Sequence, residues 1–223
     1  MRRIPLGQLQ KTLVQCDFDG TVTEEDVSFM LLDAFAEGDW RQYLEEYDAG
    51  RITVGQFNSQ VFGMVRADRQ TLLDYVRDRA AVRPGFREFA GMCHRYGYRL
   101  VIISNGLQLY IEQILGDMGL HDIEVHAAQT RFSTDKLCVE YRGPDGSVVD
   151  DGFKEAFTKM FLSEGYRVIY IGDGSSDYIP ASLCHEVFAA RNAGSLLRRC
   201  QEGNAEYKPF TDFHDIIRLL ESR

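Results

Sequence analysis

The sequence predicts an α/β fold: a doubly wound parallel sheet with an all-helical insert directly behind its first strand. Three observations carry this. Short apolar runs of the buried-strand type recur along the chain, helix-period stretches separate them, and residues 24–82 hold helical patterns with no strand between. The first run, Thr12–Cys16, breaks into Asp17-Phe18-Asp19-Gly20-Thr21, as parallel sheets do where they present chemistry at strand carboxyl ends. In the insert, Val27, Met30, Leu31, Ala34 and Phe35 share one helical face. Trp40, Tyr43, Leu44 and Tyr47 share a second, Val54, Phe57 and Val61 a third, and Leu72, Leu73 and Val76 a fourth. Gly38, Gly50 and Ala67-Asp68 punctuate them, so four helices are expected, arranged as a lid over a site. Arg83-Pro84-Gly85 is a turn-like hinge for the return.

Beyond the hinge, Phe86, Phe89, Ala90 and Cys93 predict a helix, and residues 99–104 a strand. Tyr110, Ile111, Ile114 and Leu115 predict the next helix. Residues 130–149 alternate in places around Gly143-Pro144-Asp145-Gly146 and read as a β-hairpin with a tight turn. Phe153, Phe157, Met160 and Phe161 predict a helix, Arg167–Gly172 and Glu186–Ala190 two further strands, and Phe213, Ile216, Ile217 and Leu220 a closing helix. The expected division is a core of residues 1–23 and 83–223 with a helical cap of residues 24–82.

Composition narrows the function. The chain has 223 residues, 34 acidic and 25 basic, for a net charge of −9, with 44% apolar and 26% charged residues. These values exclude a disordered tail, a collagen-like fibre or a mini-protein lacking a core. The acidic balance argues against nucleic acid as a partner. Residues 1–9 lack the apolar stretch of a signal peptide. Apolar runs such as residues 100–103 fall far below the ~20 residues that span a bilayer, so no membrane association is expected. Five scattered cysteines without CxxC spacing suit reduced thiols, and the cytoplasm is the expected location. The oligomeric state is left open.

Four segments could carry chemistry. In Asp17-Phe18-Asp19-Gly20-Thr21, one carboxylate could attack phosphorus while the other moves a proton to or from the reacting oxygens. Gly20 would permit a sharp bend and Thr21 could donate to a phosphoryl oxygen; a surface turn is the competing reading. Ile171-Gly172-Asp173-Gly174-Ser175-Ser176-Asp177 is a second acidic strand end. Were the two strands neighbours, Asp173 would face Asp17, and the converging carboxylates would need a hard cation such as Mg²⁺. Here the alternative is a glycine-rich loop capping a helix. In Ile102-Ile103-Ser104-Asn105-Gly106, a hydroxyl and backbone N–H groups could cradle phosphate, or simply cap a helix. Lys154 sits unfavourably near a helix N-terminus, so binding a phosphoryl oxygen among carboxylates competes with a solvated surface role.

The order DFDGTVT, helical insert, ISNG, lysine, GDGSSD resembles the haloacid dehalogenase-like phosphohydrolases over nearly the whole chain. The resemblance implies a Rossmann-like core, with Asp17 as nucleophile and Asp19 as general acid/base. Ser104 and Lys154 would hold the phosphoryl group. Mg²⁺ would bind the Asp17 carboxylate, the Asp19 main-chain carbonyl and Asp173, with Asp177 supporting. The acid at Asp19 points to phosphate esters rather than dehalogenation. The position of the insert and the hairpin before Lys154 look like the phosphoserine phosphatase branch. Within it, Asp26 and a tail running from Leu196-Leu197 through Tyr207-Lys208-Pro209-Phe210 to Phe213-His214-Asp215 most resemble the bacterial methionine-salvage phosphatases acting on 2-hydroxy-3-keto-5-methylthiopentenyl-1-phosphate. Asp26 stands where phosphoserine phosphatases carry a glutamate that reads the substrate's amino group; complementing a helix dipole is its other reading. Substrate-binding candidates are thus Thr21, Asp26, Asn105 and Gly106. Arg41, Arg51, Arg66 and Arg69 are candidates to clamp a substrate carboxylate.

The expected function is Mg²⁺-dependent hydrolysis of a small phosphorylated metabolite. Alternatives are phosphoserine phosphatase, a phosphotransferase or mutase on the same core, and a non-enzymatic Mg²⁺- and phosphate-binding regulatory module. The five histidines lack metal-binding spacing, and Cys16 reads as packing rather than as a nucleophile.

Overall fold

The protein is described by a computed structural model covering residues 11–133, 136–191 and 194–222, so the reading of residues 1–9 lies outside the described residues. Seven strands form one sheet in the order β4-β3-β2-β1-β5-β6-β7. They are β1 (Thr12–Cys16), β2 (Arg99–Leu107), β3 (Glu124–Phe132), β4 (Leu137–Glu140), β5 (Arg167–Gly172), β6 (Glu186–Ala190) and β7 (Lys208–Phe210). All neighbours pair in parallel except β4, which runs antiparallel to β3 at the edge. The chain steps outward from β1 through β2 and β3, then returns to the other side of β1 with β5 and continues outward. This reversal opens a crevice beyond the carboxyl ends of β1 and β5, where doubly wound sheets place their ligands.

The insert contains four helices: α1 (Val27–Phe35), α2 (Arg41–Asp48), α3 (Val54–Phe62) and α4 (Arg69–Arg79). Their starts follow from capping side chains. Asp26 accepts from the Phe29 N–H, Thr53 and Gln56 form a reciprocal capping box, and Asp68 accepts from the Thr71 N–H. Ring contacts of 5.0 Å between Phe29 and Trp40 and 5.1 Å between Phe35 and Tyr75 knit the helices together. The chain enters and leaves through a two-stranded neck, an antiparallel bridge of Thr23 with Val82 flanked by Arg83 N–H to Val22 C=O at 2.8 Å. The residues read as a hinge are therefore hydrogen-bonded, and Arg83 is buried.

The rest of the core comprises α5 (Phe86–Tyr96), α6 (Gln108–Asp117), α7 (Phe153–Ser163), α8 (Tyr178–Ser182), α9 (Leu196–Glu202) and α10 (Phe213–Glu221). Two features correct the sequence reading. The hairpin expected over residues 130–149 is divided: Gln129–Phe132 of β3 pairs with β4, while the turn at Gly143–Gly146 closes only the isolated bridge Arg142↔Val148. Residues 134–135 of that span lie outside the described residues. The chain also forms β3 and β7, which the sequence reading lacked. In β3 only Ala127 and Ala128 are buried among polar residues, and β7 is three residues long and contains Pro209, so neither shows an apolar run.

A buried polar contact fixes α7 to β1. The Thr158 hydroxyl lies 2.8 Å from Gln15 Oε1, and Gln15 Nε2 donates to the Lys154 carbonyl at 3.1 Å. Both side chains are fully buried, so the helix that carries Lys154 is locked to the strand that leads into Asp17. Replacing Thr158 with Val strips Gln15 Oε1 of its donor, and urea unfolding is expected to show a loss of about 1–3 kcal/mol. A change below about 0.5 kcal/mol would contradict this anchoring.

Candidate active site

Asp17 leaves β1 with its N–H donating to the Ile171 carbonyl at 2.9 Å, which sets it beside the end of β5. The next residues form a tight turn in which the Phe18 carbonyl accepts the N–H groups of Thr21, Val22 and Thr23. Gly20 adopts φ +72°, and a Cβ there would lie 2.5 Å from Asp173 Oδ2, so the turn and Asp173 are in direct contact. The Thr21 hydroxyl donates to Asp173 Oδ1 at 2.8 Å and is fully buried. The structure thus ties Thr21 to Asp173, a different engagement from the phosphoryl contact expected of it.

Lys154 is 3% exposed, which rules out the solvated surface role. Its Nζ lies 2.8 Å from Asp17 Oδ1 and 2.7 Å from Asp177 Oδ1. Burial disfavours the ammonium, yet the two carboxylates outweigh it and raise its pKa above the ordinary lysine value. Asp177 also accepts from the Tyr170 hydroxyl at 2.6 Å and from the N–H groups of Asp173 and Gly174 at 3.0 and 2.8 Å. Burial works against its charge, but Lys154 and these donors prevail and lower its pKa. At Asp17, burial and the Asp177 charge dominate and raise the pKa despite Lys154.

One oxygen from each of Asp17, Asp173 and Asp177 falls within a group spanning 4.8 Å. Asp17 and Asp177 share one ammonium, so this oxygen-only, carboxylate-rich set suits a hard divalent cation such as Mg²⁺. Asp177 has donors on both oxygens, which leaves Asp17 and Asp173 as the carboxylates better fitted to meet a cation directly.

Asp19 turns toward the insert. Its carboxylate accepts from the Val27 N–H and the Ser28 hydroxyl, both at 3.3 Å, and from the Tyr110 hydroxyl, which itself lies 2.8 Å from Ser28 Oγ. Burial first, and then the charge of Asp26, raise its pKa and favour the protonated acid. Gly106 makes room for this arrangement, since a Cβ would fall 2.0 Å from the Tyr110 hydroxyl. Its N–H donates to Ser104 Oγ at 3.0 Å. Ser104 and Asn105 lie where the β2–β3 register shifts, and α6 starts only at Gln108, so Ser104 does not cap that helix. The Asn105 carbonyl accepts from Tyr141 and from Asn58 of the insert, while its buried Oδ1 has no partner among the described residues.

These groups border a cleft of about 800 Å³ between core and insert. Its floor includes Asp17, Asp19, Ser104, Lys154 and Asp173, and its insert side includes Phe29, Leu44, Val54 and Phe57. Asp26 lines it too. It is the N-cap of α1, and burial pushes its carboxyl up to about 6, so the helix-terminus reading describes its bonding. Arg41, Arg51 and Arg66 pair with Asp33, Glu46 and Glu37 on exposed faces. Neither they nor Arg69 line the cleft; Arg198 and Arg199 do. Sequence reasoning missed Tyr110, Ser28 and Tyr170, whose hydroxyls were hidden in helical or strand patterns that each residue also satisfies.

The haloacid dehalogenase-like hydrolase family matches residues 14–179. The 2-hydroxy-3-keto-5-methylthiopentenyl-1-phosphate phosphatase of Geobacillus thermodenitrificans is 29% identical, over 96% of this chain and 97% of that protein. The protein of the same name from Brevibacillus brevis is 27% identical over 95% and 96%. Among solved structures, a phospho-aspartyl intermediate analogue of phosphoserine phosphatase aligns with a TM-score of 0.68 at 17% identity, covering 94% of this chain and 99% of that one. Phosphoserine phosphatase from T. onnurineus gives 0.69 at 20% identity, with 96% of each chain covered. At these identities the structural likeness concerns the fold.

Removing the shared ammonium leaves buried carboxylates facing one another. Lys154→Met is expected to cost about 3–5 kcal/mol in chemical denaturation at neutral pH, and a loss under about 1 kcal/mol would refute the ion triad.

Proposed function

The chain belongs to the haloacid dehalogenase-like hydrolase family and is a phosphatase; from that premise we propose that it hydrolyses a small phosphate monoester through an aspartyl-phosphate on Asp17. The observation that carries this reading is the junction of Asp17, Lys154, Asp177 and Asp173 at the floor of the cleft, with Asp19 beside them. An oxygen of Asp17 attacks phosphorus, the ester P–O bond breaks, and the departing alcohol oxygen takes the proton of Asp19. Water then attacks phosphorus, the bond to Asp17 breaks, and Asp19 takes the water's proton as inorganic phosphate leaves. Lys154 and Ser104 hold equatorial phosphoryl oxygens, and Lys154 aims the Asp17 carboxylate and favours its charged form against the burial that opposes it. The Asp17 and Asp173 carboxylates and the Asp19 carbonyl would hold Mg²⁺, with Asp177 behind them. When bound, Mg²⁺ supplies positive charge against the phosphoryl oxygens. The helical insert acts as a cap that excludes bulk water.

For the substrate we favour 2-hydroxy-3-keto-5-methylthiopentenyl-1-phosphate, the compound named for the relatives. The apolar patch of Phe29, Leu44, Val54 and Phe57 in the cleft suits an uncharged thioether tail. Phosphoserine finds no cation on the insert side, where none of Arg41, Arg51, Arg66 and Arg69 lines the cleft, and a substrate carboxylate would have to reach Arg198 or Arg199 of the core. Five free thiols are in keeping with a reducing cytoplasm.

A panel of phosphorylated metabolites, assayed with Mg²⁺ and after chelation, tests the reading. The methylthio ester is expected to outpace phosphoserine, inorganic phosphate to match substrate consumed, and chelation to abolish turnover. Asp17→Asn is expected to lower kcat at least about a thousandfold with the fold intact, as loss of a covalent nucleophile does. Equal rates on both esters would remove the substrate assignment, and an active Asp17→Asn the mechanism.

A further inference from the structure

Arg83 lies outside the cleft, yet it is only 7% exposed and its guanidinium is spent almost wholly on the turn that follows Asp17. Nη2 donates to the Gly20 carbonyl at 2.7 Å and to Thr23 at 3.5 Å, and Nε donates to the Thr21 carbonyl at 2.8 Å. Nη1 donates to the Thr211 carbonyl at 3.0 Å, between β7 and α10. Every one of these acceptors is a neutral carbonyl, and no carboxylate among the described residues pairs with Arg83. Burying a guanidinium without a counter-charge is costly, and a fold that needed only packing here would be served by an apolar side chain.

The two carbonyls it holds most closely belong to the two residues that touch Asp173. Gly20 presses its Cα side against the Asp173 carboxylate, and Thr21 donates its hydroxyl to Asp173 Oδ1. The same turn carries Asp19 and follows Asp17 directly. From the other side, the Phe18 carbonyl gathers N–H groups of the turn, while Arg83 takes the Gly20, Thr21 and Thr23 carbonyls. We propose that Arg83 is a positioning residue which sets the distance between the Asp17–Thr21 turn and Asp173, and so tunes cation binding and turnover from behind the site. Through Thr211 it also ties that spacing to the C-terminal α10. The inference rests on the proposed function for its effect on turnover, but its effect on cation affinity can be read without any substrate.

The test is Arg83→Lys in the full chain, which keeps the charge and loses the planar fork. Mg²⁺ affinity is measured by calorimetry, kcat and KM with p-nitrophenyl phosphate, and stability by thermal melting. Displaced supporting groups commonly cost 10–100-fold in metal affinity or activity, so Mg²⁺ is expected to bind about tenfold or more weakly. kcat should fall by a similar factor with KM within about threefold, at a melting temperature that leaves the assayed protein folded. Arg83→Gln, which keeps a short planar donor, should recover less than the lysine in stability but show the same weakened Mg²⁺ binding. A variant that melts earlier yet binds Mg²⁺ as the parent does would reduce Arg83 to a structural role and overturn the proposal. If the parent itself fails to turn over phosphate esters, the proposed function fails, while the comparison of Mg²⁺ affinities still decides the role of Arg83.

Discussion

The site depends on one desolvated ammonium. Lys154 is almost completely buried, and it remains charged there because Asp17 and Asp177 lie within 2.8 Å of it. Either partner alone would leave an expensive charge in the interior; together with the Tyr170 hydroxyl and two backbone N–H groups they form a satisfied network. The network requires three distant pieces of chain to meet: the end of β1, the loop after β5 and the first turn of α7. The sheet order supplies this, because β1 and β5 are neighbours although more than a hundred residues separate them, and Gln15 and Thr158 lock α7 against β1. Fold and chemistry are one constraint at this point.

The helical insert adds the other half of the cleft. It returns to the core through a hydrogen-bonded neck and touches it again where Asn58 meets the Asn105 carbonyl and where the Gly55 N–H meets the Asp150 carbonyl. Its contribution to the cleft sets an apolar patch of Phe29, Leu44, Val54 and Phe57 among the acidic Glu24, Glu25, Asp26 and Asp48, above a floor that is itself rich in carboxylates. The repulsion that a phosphate ester would meet on a chain of net charge −9 is local, and a cation bound there would offset it together with Lys154.

Much of this was legible in the sequence, and the reasons are specific. β1, β5 and β6 were readable because buried parallel strands are continuous apolar runs, and the four insert helices because glycines and caps separate clean helical faces. The segments bearing Asp17, Ser104 and Asp173 stood out as polar breaks at the ends of such runs, and Lys154 as a cation at the unfavourable end of a helix. β3 was not legible, because two alanines carry its burial, nor was β7, which pairs over three residues. The partners of Asp19 were hidden for a different reason. Tyr110 has both a ring that packs at helical spacing and a hydroxyl that reaches the carboxylate, and pattern sees only the ring. Arg83 sat in a turn signature, and its use of four carbonyls is a property of the assembled backbone alone.

The central claim is that the Asp17 carboxylate takes the phosphoryl group. Its most direct test quenches the enzyme during turnover and reduces it with borohydride, which converts an aspartyl phosphate to homoserine, before peptide mass spectrometry. The account predicts homoserine at position 17 and at no other aspartate, with none formed when substrate is omitted. Reduction at Asp19 or Asp173 instead, or a chain that turns over substrate yet yields no homoserine, would contradict it.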